Sequence, residues 1–183
     1  MSMQLRQKYL RWLLLVLGIS LVPAIGYPAW RHLYPVAASQ GWGYQVFHAD
    51  IPKVSALVRD EQGALFISQE LSDGKGSILK RERDGSLTTM LSGLSKPDGL
   101  ALYGGGVAVG QEGGKFPVLL LRGNQTEPLF GADDVESLAS DGHFLYAIED
   151  KKLGRLLRFD PLSGEVVTLR DGLDEGEAIT ACA

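Results

Sequence analysis

Residues 98–112 read DGLALYGGGVAVGQE, in which two short apolar runs are separated by three glycines. The stretches VSALVRDEQGALFISQE (54–70) and VESLASDGHFLYAIED (135–150) have the same order of apolar run, turn and apolar run, and EAITACA (177–183) begins it again. The aligned residues Leu57, Leu100, Leu138 and Ile179 are 43, 38 and 41 residues apart. A repeat of about 41 residues indicates an architecture of similar stacked units.

A second pair of apolar runs completes each unit. The last run of successive units is YQVF (44–47), LTTML (87–91), EPLF (127–130) and VVTL (166–169). The dipeptides DG, GN and SG precede the later three of these runs, and such dipeptides supply the backbone conformations that hairpin turns require. Each unit is therefore predicted to contain four antiparallel strands.

Four-stranded units of about 40 residues arranged around an axis are the blades of a β-propeller. The sequence predicts an all-β partial propeller over Tyr44–Ala183, with one last strand, three complete blades and one first strand, about three and a half blades in total. A helical solenoid is excluded because no ten-residue stretch after residue 44 keeps a helical apolar period without Gly or Pro. A β-sandwich remains an alternative.

Propellers have about four to eight blades, so a chain with fewer leaves blade edges uncovered. The sequence is therefore expected to be either a truncated product or a piece that self-associates through its open blade edges.

The N-terminal region has the pattern of a membrane segment. Residues 1–11 form a basic tail that contains Arg6, Lys8 and Arg11, and the next 19 residues, 12–30, carry no charge. About 20 apolar residues cross a bilayer as a helix, and basic residues favour the cytoplasmic side. We predict a transmembrane signal anchor over residues 12–34 after a cytoplasmic tail, with a cleaved signal peptide as the alternative.

Both interpretations of the N-terminus place the later residues outside the cytoplasm. Residues 35–43 are predicted to be a linker, and the propeller would face the periplasm or the extracellular side. The protein would be anchored in the membrane through residues 12–34, or secreted if the segment is cleaved.

The composition of the chain argues against nucleic-acid binding and excludes sites that need several cysteines. The net charge is −4 and no basic patch follows the N-terminus, so nucleic acid is not an expected partner, because phosphate binding needs clustered Lys and Arg. Cys182 is the only cysteine. An intrachain disulfide and a cysteine-built zinc site are therefore excluded.

The stretch KPDGLAL (96–102), the equivalent stretches VESLA and EGEAIT, and the blade LYAIEDKKLGRLLRFDPLSGEV resemble the gluconolactonase, senescence-marker-protein and strictosidine-synthase-like group of six-bladed propellers. The resemblance covers Tyr44–Ala183. It implies that an acid or amide at the start of an innermost strand points into the central tunnel and binds a divalent cation, usually calcium. Where such proteins are active, the resemblance implies hydrolysis of lactones or related esters.

The candidate metal ligands are Asp98, Glu136 and Glu177, each two residues before the aligned Leu or Ile. Blades are related by rotation, so equivalent positions converge on one axis. Three converging carboxylates repel unless a cation or protons neutralise them, and oxygen ligands suit calcium or magnesium. By the resemblance, Asp98 is in addition the candidate catalytic base. Ser55 takes this position in the first unit and brings no charge.

Several features leave a second function open. Pro97-Asp98-Gly99 is a turn signature without any metal, and the only asparagine, Asn124, lies in a turn rather than at a blade start. Glu149 and Asp150 end a second strand, where they could serve the tunnel or be solvated turn acids. The two candidate functions are a metal-dependent lactone or ester hydrolase and a non-catalytic propeller that binds a small molecule or a protein.

Overall fold

The computed structural model of the protein describes residues 38–181, together with Tyr9, Trp12 and Gly26. The chain divides into two units, Met1–Ala49 and Asp50–Ala183. The predicted anchor over residues 12–34 lies outside the described residues except at Trp12 and Gly26. Among the residues described, no helix has the length and hydropathy that a bilayer crossing needs.

The described part of the first unit after residue 37 is irregular. Residues 38–49 contain one turn, in which the Trp42 N–H donates to the Ser39 carbonyl at 2.9 Å, and neither a helix nor a strand. Residues 38–43, the described part of the predicted linker, therefore have no helix or strand.

The second unit is all β. Its described residues form twelve strands in three four-stranded antiparallel sheets, each with its strands in sequence order. The strands are β1 (Val54–Arg59), β2 (Leu65–Gln69), β3 (Gly76–Arg81), β4 (Leu87–Leu94), β5 (Leu100–Tyr103), β6 (Gly106–Val109), β7 (Lys115–Arg122), β8 (Gln125–Asp133), β9 (Val135–Ser140), β10 (Leu145–Glu149), β11 (Lys152–Phe159) and β12 (Val166–Asp174). We call the three sheets blades 1, 2 and 3 in chain order.

The core lies between adjacent blades. One buried cluster joins blades 1 and 2 through residues such as Ile78 and Val107, and a second joins blades 2 and 3 through residues such as Leu120 and Leu157. Strand β5 contacts both β1 and β9, so the first strands of the blades are neighbours. Blade 2 is covered on both faces, which explains why β6 reads GVAV instead of alternating apolar and polar residues.

Local turn chemistry closes the hairpins at one end of the blades. In blade 1 the Asp60 carboxylate accepts the Ala64 N–H at 2.7 Å, and Gly63 takes a φ of 88° that residues with a Cβ avoid. In blade 3 the Asp141 carboxylate accepts the N–H groups of His143 and Phe144. These short turns fix the register of the strand pairs.

The structure differs from the sequence prediction at both ends of the propeller. Residues 44–47, predicted as a last strand, and residues 177–181, predicted as the start of a first strand, are not in strands. A strand is stable only when its backbone groups pair with a neighbour, and within the described residues no strand pairs with either segment. The described chain therefore holds three blades instead of about three and a half.

Candidate metal centre

Five carboxylates and one serine lie at the end of the blades opposite the short hairpins. They occupy two repeated positions, one at or just before the start of the first strand and one that follows the second strand by one to three residues. The blade-start residues are Ser55, Asp98 and Glu136, and the residues after the second strand are Glu70, Glu112 and Asp150. We call the five acids the acid arc.

The main chain holds the two positions together in every blade. The residue two places before each blade start has left-handed backbone, with φ of 53° at Lys53, 39° at Lys96 and 50° at Asp134. The carbonyl of that residue accepts the N–H of the acid after the second strand, at 2.8 Å for Glu70, 3.1 Å for Glu112 and 2.8 Å for Asp150. The spacing between the two sets of acids is thus set by the backbone.

A side-chain clamp repeats beside this main-chain bond. The residue before each acid of the second set bonds the main chain three residues before the blade start. The pairs are Gln69 Nε2 with the Pro52 carbonyl at 3.2 Å, Gln111 Oε1 with the Ser95 N–H at 3.1 Å, and Glu149 Oε1 with the Asp133 N–H at 3.1 Å. Gln111 and Glu149 are buried. These residues restrain the acids that follow them in the sequence.

The arc contains two groups of acids that could each hold a cation. Group 1 consists of Glu70, Asp98 and Glu112, and group 2 consists of Glu112, Glu136 and Asp150. Within each group one carboxylate oxygen per residue lies within 4.8 Å of the others. Two oxygens bound to one calcium ion at about 2.4 Å are at most about 4.8 Å apart, so both groups fit the size of such an ion.

Two of the three predicted metal ligands lie in the acid arc, and the third does not. Asp98 belongs to group 1 and Glu136 to group 2. Glu112 belongs to both groups and so links them. Glu177 is exposed and belongs to neither group. No strand forms over residues 177–181 to direct its side chain toward the arc.

Burial and mutual repulsion disfavour ionisation of two acids of the arc. Burial raises the pKa of Asp98, and the charges of Glu112 and Glu70 raise it further against the hydrogen bond that Ser55 Oγ donates. Burial also raises the pKa of Glu136, to about 9, with added contributions from a hydrogen bond to Glu112 and from the charges of Asp98, Glu112 and Asp150. Without a cation, Glu136 therefore holds a proton at neutral pH.

Glu112 is the centre of the arc and is only 7% exposed. Its Oε2 accepts a hydrogen bond from Lys96 Nζ at 2.7 Å. Burial raises the pKa of Glu112, but the hydrogen bonds from Glu136 and Lys96 outweigh burial and lower the pKa overall. Glu112 thus carries the negative charge when Glu136 carries the proton.

Two buried oxygens of the arc, Glu112 Oε1 and Asp150 Oδ1, have no hydrogen-bond partner among the described protein groups. A buried acceptor without a partner is costly, so a proton on Glu136 or a bound cation has to satisfy this region. Every candidate ligand atom is a carboxylate oxygen, and such sets suit the hard cations calcium and magnesium. The residues present therefore fit a divalent cation.

Glu70 and Glu112 were not predicted from the sequence as site residues. The signal that could have found them is that all three repeated stretches end in an acid, at Glu70, Glu112 and Asp150. Only the strand register shows that this end lies beside the blade start, as when Glu149 pairs with Val135 and so brings Asp150 next to Glu136.

Comparison with known proteins identifies the fold. No family model matches the sequence, and no curated protein matches it. A solved structure described as a proposed gluconolactonase matches with a TM-score of 0.51 and 15% identity over 68% of this chain and 50% of that chain. A luciferin-regenerating enzyme matches with a TM-score of 0.53 and 14% identity over 68% of this chain and 48% of that chain.

These matches confirm the predicted resemblance to gluconolactonase-like propellers at the level of the fold. Identities of 15% and 14% show the fold alone, and the chain spans about half the length of each matched structure. Asp98 and Glu136 lie at or just before the starts of first strands, the positions where the resemblance implied an acid.

Proposed function

We propose that this protein is a propeller hydrolase of lactones or related esters that depends on a divalent cation, with calcium favoured. The observation that carries the proposal is the acid arc itself: carboxylates from three blades converge, and apart from the carboxyl group of Glu136 no described group bonds two of their buried oxygens. The shared fold with a proposed gluconolactonase supports the choice of reaction class.

In the proposed reaction the cation and the acids of this chain have separate roles. A bound divalent cation polarises an ester carbonyl and makes water more acidic. Asp98 is the proposed base that takes the proton from the attacking water, because it lies beside Glu112 and its carboxylate is oriented by Ser55. The acids Glu112, Glu136 and Asp150 are proposed to bind the cation.

A non-catalytic propeller that binds a small molecule or a protein is the second candidate. It is supported by the position of Asn124, which lies in the hairpin between β7 and β8 and not at a blade start. The amide ligand that the resemblance implies is therefore absent from the described acid arc. In this function a cation would stabilise the fold without taking part in a reaction.

We also propose a membrane attachment, a location and a self-association for this protein. The uncharged run of residues 12–30 supports an anchor over residues 12–34 and a propeller on the periplasmic or extracellular side. Self-association through open blade edges is proposed because uncovered sheet edges pair readily with other strands.

The test uses the full chain in detergent, stripped of metal with a chelator. We expect hydrolysis of γ- and δ-lactones or aryl esters to return when calcium, magnesium or manganese is added. Asp98→Asn should abolish hydrolysis, and Asp171→Asn, which changes an exposed acid on β12, should leave it intact. Cation binding without hydrolysis of any of these substrates would favour the non-catalytic function.

A further inference from the structure

We infer that Lys96 is a built-in cation for group 1 of the acid arc, so that one divalent ion binds the arc, at group 2. This inference rests on the proposed function, because it assigns the position of the cation that the function requires. It further leaves Asp98 free of the ion and available as a base.

The ammonium of Lys96 lies within group 1. Lys96 Nζ is 2.7 Å from Glu112 Oε2 and 3.5 Å from Glu70 Oε1, so it contacts two of the three acids of the group. The third acid, Asp98, accepts the hydrogen bond of Ser55. A divalent ion in group 1 would have to displace this ammonium or be repelled by it.

The backbone fixes Lys96 in this position. Its N–H donates to the Leu71 carbonyl at 2.9 Å, and its own carbonyl accepts the Glu112 N–H at 3.1 Å. Both bonds tie the lysine to the ends of the second strands that carry Glu70 and Glu112. Its side chain therefore starts next to the acids that it contacts.

Within residues 38–181, group 2 has no basic residue in the position that Lys96 takes in group 1. The residue of blade 3 that corresponds to Lys96 is Asp134, whose Oδ1 accepts the N–H groups of Gly113 and Gly114 at 2.7 and 2.9 Å. The two nearby basic side chains have other partners, since Lys151 bonds Asp133 at 2.5 Å and Arg155 bonds Glu149.

Glu112 and Asp150, the two acids of the arc that carry a buried oxygen without a donor among the described protein groups, are both members of group 2. Glu112 is only 7% exposed, and its Oε2 accepts the Lys96 hydrogen bond. Apart from the carboxyl group of Glu136, no described group bonds Glu112 Oε1 or Asp150 Oδ1. Glu112 thus places one oxygen on the lysine of group 1 while its side chain also belongs to group 2. An ion at group 2 would contact three acids, two of which carry these buried oxygens.

The test is the stoichiometry of calcium binding to the full chain, measured by equilibrium dialysis and by calorimetry. Wild type should bind one ion per chain in the arc. Lys96→Met should bind two, because removing the ammonium opens group 1, and Lys96→Arg should still bind one, because the charge is kept. Lys96→Gln serves as a second neutral variant if Lys96→Met fails to melt cooperatively.

A second pair of variants assigns the ions to the two groups. Glu136→Gln should lose the wild-type ion, and Lys96→Met combined with Glu136→Gln should bind one ion, in group 1. One ion with unchanged affinity in both neutral variants would overturn the inference and leave the proposed function standing. No ion in wild type would contradict the proposed function, and the inference with it.

Discussion

The main-chain N–H of Asp133 donates a hydrogen bond to Glu149 Oε1 at 3.1 Å. In blade 2 the Ser95 N–H donates the equivalent bond to Gln111 Oε1. A carboxylate in blade 3 therefore accepts the bond that a neutral side-chain amide accepts in blade 2. The extra charge is fully buried and is met by Arg155, whose Nε and Nη2 lie 2.8 and 2.5 Å from the two Glu149 oxygens.

Arg155→Met should therefore lower the free energy of unfolding. Removing one partner of a buried ion pair costs about 3–5 kcal/mol, and we expect about 2 kcal/mol here because Arg155 is partly exposed and Lys151 Nζ remains 3.7 Å from Glu149. The measurement is urea unfolding followed by circular dichroism.

Two further variants control for this effect. Arg170→Met, an exposed arginine on β12, should change stability by less than about 0.5 kcal/mol. Glu149→Gln combined with Arg155→Met copies the amide of blade 2 and should recover most of the loss. An Arg155→Met protein as stable as wild type would show that Lys151 alone compensates Glu149.

The raised pKa of Glu136 predicts how stability depends on pH in the absence of a cation. Its pKa is about 9 in the folded chain against an ordinary value of 4.5. Between these values the folded chain keeps a proton that the unfolded chain has lost, so the free energy of unfolding falls as the pH rises. We expect the Tm in chelator to decrease from about pH 5 to about pH 9.

Glu136→Gln should flatten this decrease and raise the Tm at alkaline pH, because the amide cannot ionise. Glu61→Gln changes an exposed glutamate in the hairpin between β1 and β2 and should leave the wild-type slope. Calcium should raise the wild-type Tm most at the alkaline end of the range, where the carboxyl group of Glu136 is readily deprotonated. Equal slopes for wild type and Glu136→Gln would mean that Glu136 ionises normally.

Gln111 is predicted to position Glu112. Replacing it with leucine removes the acceptor of the Ser95 N–H and frees the connection that leads into Asp98. Loss of a group that holds metal ligands in place typically costs about 10- to 100-fold in metal affinity, and we expect a weakening of that order in the calcium Kd of Gln111→Leu. Calorimetry of Gln111→Leu beside Gln125→Leu, an exposed position on β8, separates this role from a general loss of polarity.

Gly76 is predicted to accept no side chain because it packs against the residue before Asp98. A Cβ at Gly76 would lie 2.4 Å from Pro97 Cδ and 2.9 Å from the Leu94 carbonyl oxygen. Gly76→Ala should destabilise the fold by about 1–3 kcal/mol and weaken calcium binding by moving Pro97. Gly131→Ala, where nothing lies within 4 Å of the added Cβ, should melt close to wild type. An unshifted Tm in Gly76→Ala would show that Pro97 moves at no cost.

The sequence was sufficient to predict the three blades because each blade repeats the same apolar runs and turns. Leu57, Leu100 and Leu138 do lie in the first strands of successive blades, as their spacing indicated. The runs at 44–47 and 177–181 continue the repeat in the sequence, but within the described residues no strand pairs with them, so the repeat pattern alone overestimated the number of strands.

Only the part of the candidate site that follows from the rotational relation between blades could be predicted from the sequence. Equivalent blade starts converge, and this argument placed Asp98 and Glu136 near one another. The contributions of Glu70 and Glu112 depend on the register between the first and second strands, and the role of Lys96 depends on its side-chain direction. Neither property follows from the spacing of residues along the chain.

The left-handed backbone of the blade joints recurs once more, at Glu175, where φ is 51°. Glu175 is exposed, and the acid two residues later, Glu177, does not belong to the acid arc. The Glu175 N–H donates to the Lys151 carbonyl at 3.3 Å, as the Lys96 N–H donates to the Leu71 carbonyl at 2.9 Å, so a main-chain bond to the preceding blade accompanies the bend even where the carboxylate lies outside the arc. Both joints are therefore held by a main-chain bond to the blade before them, and the bend that precedes an acid should survive replacement of that acid.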